Sequence, residues 1–95
     1  MHLENIITLY HILVGDIMET IVDEILNSAN MHEAVRKFVD ANERPNNIDL
    51  YQALTYAFFE MDEKDPRFEE LNDVLDAMSG HCNKACYIGT GDYAW

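Results

Sequence analysis

Cations are what this sequence has least of. Six Lys and Arg stand against 18 Asp and Glu, for a formal net charge of -12 and a pI of about 4.4 over 95 residues. A chain this acidic does not hold a nucleic-acid backbone or an anionic membrane by general attraction, because both are polyanions. Cysteine is also scarce. Two residues, Cys82 and Cys86, do not make a disulfide framework. The apolar N-terminal stretch has no basic flank and is broken by Asp16, Glu19, Asp23 and Glu24. It therefore reads neither as a secretory signal nor as a spanning helix, which needs about 20 mainly apolar residues. The expectation is a reduced, cytoplasmic protein, or one in the host cytoplasm if phage-encoded.

Catalytic signatures are missing as well. Gly89-Thr90-Gly91 lacks the helix and lysine of a phosphate-binding loop, and no Gly-x-Ser-x-Gly pattern occurs. His32-Glu33 begins a zinc-protease pair, but Arg36 stands where the second histidine belongs. His81, Cys82 and Cys86 form one cluster of soft ligands, three where zinc needs about four. The two cysteines are read as reduced residues of a tail, and His2 and His11 as surface or interface groups. Neither an enzyme nor a metal or other cofactor is expected.

What the chain does have is apolar content, 48% of its residues, which a disordered acidic tail lacks. Ninety-five residues make a single domain, 1–95. Such a chain buries somewhat more than ~60% of its unfolded surface, so the core is thin and a partner subunit would help it.

Spacing predicts an all-α fold, a small bundle of about four to five helices with a short irregular tail over 80–95. Leu3, Ile7, Tyr10, Val14, Ile17, Ile21 and Ile25 recur every three or four residues. They imply helices at about 3–14 and 17–28, or one long helix weakened at Gly15. Asp16 and Glu19 have capping-box spacing, as do Asn30 and Glu33 ahead of a helix over 31–41 with Ala34, Val35, Phe38 and Val39 inward. Asn42–Asn47 reads as a turn, with Pro45 pushing Arg44 away from helical angles. Asn47 or Asp49 then caps a helix over about 49–62. Its wide apolar run (Tyr51, Tyr56, Phe58, Phe59 and Met61 among others) suits a central element, more often core than a ligand pocket. Asp65-Pro66 pairs an N-cap with a proline at the first helical position. Phe68, Leu71, Leu75 and Met78 mark one face, and Ser79-Gly80 ends the helix. Ala85–Ile88 reads as extended.

The charge is placed unevenly. Residues 1–30 hold five acids, Glu4 among them, and no Lys or Arg. Residues 49–79 hold nine acids against Lys64 and Arg67, while 31–48 and the tail are neutral. All of the excess thus falls in two helical blocks. Asp16, Glu19, Asp23 and Glu24 come from the first. Glu60, Asp62, Glu63, Asp65, Glu69, Glu70, Asp73 and Asp76 come from the second. Acids three or four apart on a helix lie ~5–6 Å from each other, a coarse match to the charge spacing of a duplex. A solvated acidic face is the plain alternative, but -12 exceeds the magnitude of about 2–8 that serves solubility.

One segment carries a resemblance. Met31-His32-Glu33-Ala34-Val35, Asp40-Ala41-Asn42, Pro45 and Asp49-Leu50-Tyr51 resemble phage anti-restriction DNA mimics of the overcome-classical-restriction type. The match covers about a fifth of the chain. Arg36, Lys37 and Arg44 depart from the family's acidic pattern. The resemblance implies an all-helical protein, often a homodimer, whose acidic surface fills the DNA site of a restriction, anti-phage defence or other DNA-binding protein. Without it, the expectation is a small dimeric interaction or assembly factor, with the excess apolar surface of 3–26 and the aromatic tail, Tyr93–Trp95, as its contact.

Overall fold

The computed structural model describes residues 17–94. The possible break at Gly15, the Asp16 cap, the stripe before Ile17, His2, His11, Glu4 and Trp95 lie outside the described residues. Four α-helices pack together, and no strand occurs among the described residues. Helix α1 covers 17–26 among the described residues, α2 runs over Met31–Ala41, α3 over Arg44–Glu60 and α4 over Phe68–Ser79. No helix among them is long and apolar enough to cross a membrane.

Helix α4 is the central element. Leu71, Val74, Leu75, Ala77 and Met78 are all buried, so it is covered on more than one side. Val22 and Ile25 of α1, Met31, Val35 and Val39 of α2, and Leu50 and Leu54 of α3 close around it. Each large aliphatic side chain so buried stabilises the fold by roughly 1.5–3 kcal/mol. The caps foreseen around α2 and after α4 form. Asn30 accepts the Glu33 N–H at 3.1 Å, and Gly80 takes a left-handed φ of 80°. A left-handed cap there turns the chain back across α4, and the His81 N–H bonds Asp76 O at 3.0 Å.

Four expectations need correction. Residues 44–47 belong to α3, not to a turn, and α3 ends at Glu60. Pro45 sits in the first turn, where the missing N–H has no intrahelical partner to lose. Asn47 is therefore not a cap on its own helix. It is 3% exposed, and its Nδ2 donates to Val39 O and Asn42 O at 3.3 Å, closing the end of α2. Second, α4 starts at Phe68. Asp65 caps the preceding turn instead, accepting the Arg67 N–H at 2.9 Å. Third, α3 is not aromatic core throughout. It buries Asn47, Leu50 and Leu54, while Tyr56 and Phe59 are 73% and 79% exposed. Its long apolar run spans more of the helix circumference than its neighbours cover.

Fourth, the tail is not extended at 85–88, and it packs on the core. Lys84–Cys86 forms a 3-10 turn, and the Ile88 N–H bonds Ala77 O at 3.1 Å. The Tyr93 N–H bonds Met78 O at 2.9 Å. Both side chains are buried and join the core. Arg44 fastens this tail to α3 by an ion pair with Asp92 at 2.5 Å and lies 5.8 Å over the Tyr93 ring. Gly91 lets the tail close, because a Cβ there would stand 2.5 Å from the Tyr87 ring. The remaining helix end is nearer to expectation: α1 stops at 26, with Ser28 Oγ donating to Ile25 O at 2.7 Å.

Candidate functional site

The packing of α1 against α3 leaves an open groove of about 750 Å³. Two helical faces form its walls. Met18, Val22 and Leu26 recur every fourth residue on α1, and Ala53, Tyr56 and Ala57 line it from α3. Met61 continues that wall just past α3. The alanines project nothing beyond Cβ, which leaves the space between the helices unfilled.

Carboxylates from both acidic blocks meet at this groove. Glu19 and Asp23 come from α1, and Glu60, Asp62 and Asp65 from the end of α3 and the turn after it. Separated by some 40 residues in sequence, they share one rim because α1 packs beside the far half of α3. Arg67 is the one cation among the lining residues. It is already engaged, with Nε and Nη2 donating to the two carboxylate oxygens of Asp65 at 3.1 and 2.9 Å. The Arg67 side chain and backbone N–H together hold the Asp65 carboxyl down at about 2. Asp65 in turn favours the charged guanidinium, with a smaller contribution from Asp23 across the groove.

The other predicted acids are dispersed. Glu24 lies away from the groove, in a smaller recess that Lys37 shares. Glu63 is exposed in the turn. Glu69 and Asp73 are exposed on α4, and Asp76 is half-buried. Glu70 faces inward, and its Oε1 accepts the Met31 N–H at 2.8 Å. The structure thus brings Glu19, Asp23, Glu60, Asp62 and Asp65 together and leaves Glu24, Glu63, Glu69, Glu70, Asp73 and Asp76 elsewhere. Asp16 lies outside the described residues. For Tyr56 and Met61 the sequence favours core over a ligand pocket, and it does not single out Arg67 or the two alanines. The four-residue interval from Ala53 to Ala57 is the only trace that they leave in the sequence.

Around the cysteines the chemistry is quiet. Cys82 is half-buried and packs on the core, Cys86 is exposed, and both are free thiols. Burial first, then the neighbouring Cys86, pushes the Cys82 thiol up. That favours the less reactive protonated form. Ser79 Oγ and His81 Nδ1 lie 2.6 Å apart. Among the described residues no three His, Cys, Asp or Glu side chains gather as a metal site.

Compared with family models, with curated proteins and with solved structures, the chain matches none, so the resemblance over residues 31–51 rests on that stretch of sequence alone.

Proposed function

We propose that this chain is an acidic nucleic-acid mimic, a binding protein that occupies the DNA-binding surface of a restriction, anti-phage defence or other DNA-binding protein. The observation that carries this reading is the convergence at one groove. Carboxylates from two distant blocks line it, and its lone guanidinium is already paired. Among the acids of the described residues, only Asp65 and Asp92 lie in ion pairs. Apart from Glu70, which is held by the Met31 N–H, the remaining acids of the described helices and the short turn after α3 are free of ion pairs and can meet a basic partner. A cytoplasmic setting, in which Cys82 and Cys86 stay reduced, belongs to this reading.

Binding to basic nucleic-acid enzymes at low salt tests it. The expected complex weakens between 50 and 300 mM salt, because the Debye length falls below ~10 Å above 0.1 M. Duplex DNA displaces it. A panel of such enzymes that neither binds nor is inhibited at low salt would overturn the reading.

A second reading, a homodimeric interaction factor, draws on a different observation. Ile17, Tyr56 and Phe59 are large apolar side chains left exposed. Sedimentation across a concentration range tests it, and a monomer at every concentration removes it.

A further inference from the structure

We propose that the groove between α1 and α3 receives a basic amphipathic helix of the partner protein. The inference rests on the acidic binding function above and names the segment that the site takes. Its first support is shape. From Ala53 to Glu60 the α3 wall rises about 10 Å, the length of roughly two helical turns. Met18, Val22 and Leu26 oppose it at matching intervals. A guest helix anchors in such a trough through apolar residues at i, i+3 or i+4, and i+7.

Charge selects the guest. The apolar walls are flanked by Glu19, Asp23, Glu60, Asp62 and Asp65, with Arg67 already bound to Asp65. The complement is an apolar stripe bordered by Lys or Arg on both sides. Nucleic acid fails both requirements, being polyanionic and lacking such a stripe. Residues 1–14 of this chain contain no Lys or Arg and do not supply the flanking charges. A second copy does no better. Its one described helix with adjacent cations, α2 with Arg36 and Lys37, already buries Met31, Val35 and Val39 in its own core.

The test is fluorescence anisotropy on the full chain with two labelled 16-residue Leu/Lys peptides of identical composition. One has leucines at i, i+3, i+4 and i+7, and the other is scrambled. The amphipathic peptide is expected to bind at least ten-fold more tightly and to gain helicity on binding. Tyr56→Ala, and the combined Glu19→Gln, Glu60→Gln and Asp62→Asn variant, should each weaken it at least ten-fold. All four positions are exposed, so circular dichroism should show an unchanged fold. Glu69→Gln with Asp73→Asn, away from the groove, should change affinity less than two-fold.

Equal binding of both peptides, or equal loss in the α4 variant, overturns the proposal. So does self-association that disappears in the groove variants, which would assign the site to a second copy. DNA-displaceable binding of a basic enzyme that survives in the groove variants overturns the groove and leaves the mimic standing. Peptide binding through the groove without any such enzyme supports the groove and removes only the mimicry.

Discussion

Glu70 of α4 accepts the backbone N–H of Met31, the first residue of α2, through Oε1 at 2.8 Å. The contact joins residues 39 positions apart and satisfies one of the orphan donors that every helix start presents. It also removes Glu70 from the acids available to a partner. Met31 is 1% exposed, so water does not replace the carboxylate readily. Glu70→Ala should cost about 1–3 kcal/mol, the range for leaving a buried donor unsatisfied. Glu70→Gln keeps an acceptor and should cost less. Urea denaturation of both variants measures the difference, and their affinity for a basic partner should match that of the unchanged chain.

Asn47 links α2 to α3 from inside the core. Its Nδ2 holds two carbonyls, while its Oδ1 has no hydrogen-bond partner among the described residues. Asn47→Ala should destabilise by about 1–3 kcal/mol, because both carbonyls lose a donor. Asn47→Asp should cost more, since it removes the donor and sets a carboxylate against carbonyl oxygens. Its penalty should shrink as the pH falls and the new side chain protonates. Denaturation curves at pH 7 and pH 4 provide the comparison.

The Asp65–Arg67 pair predicts an acid limb in the stability profile. The Asp65 carboxyl sits at about 2 in the folded chain against an ordinary 3.8. A value depressed by folding means that the ionised form contributes its full stability above about pH 4. That contribution is lost as the pH falls through 2. Nuclear magnetic resonance titration of the Asp65 carboxyl carbon should show a midpoint near 2. In Arg67→Gln the midpoint should rise towards 3.8 without reaching it, because the residue-67 N–H still donates to Asp65.

Tyr93 and Phe59 should separate folding from association. Tyr93 is 5% exposed, and a Cβ on Gly89 would strike its hydroxyl, so Tyr93→Ala opens a cavity. The expected cost is about 3–5 kcal/mol for losing most of a buried aromatic side chain. Tyr93 is thus part of the core, while Trp95 lies outside the described residues. Phe59 is 79% exposed, and Phe59→Ser should change stability by about 0.5 kcal/mol or less. If the chain dimerises through its exposed aromatics, sedimentation should register Phe59→Ser while thermal melting does not.

Local signals were legible wherever one element sufficed to produce them. The 31–41 helix, its Asn30 cap and the left-handed stop at Gly80 follow from spacing and side-chain chemistry within a single turn. Arg44 shows where such reading ends. The residue before a proline is biased away from helical angles, yet Arg44 is helical and also pairs with Asp92 and stacks over Tyr93. Contacts 48 residues away outweigh a local preference.

The acids divide in the same way. Composition and spacing determined that the chain is all-helical, strongly acidic and charged in two blocks, because hydrophobic period and charge are properties of neighbouring residues. Which carboxylates lie side by side was settled by tertiary packing. Glu19 and Asp23 meet Glu60 and Asp62 because α1 and α3 line one groove, while Glu70, spaced like the others, turns inward to cap α2. The reason is geometric. Helical period gives the direction of a side chain around its own axis, and the packing of one helix on another gives what stands in that direction.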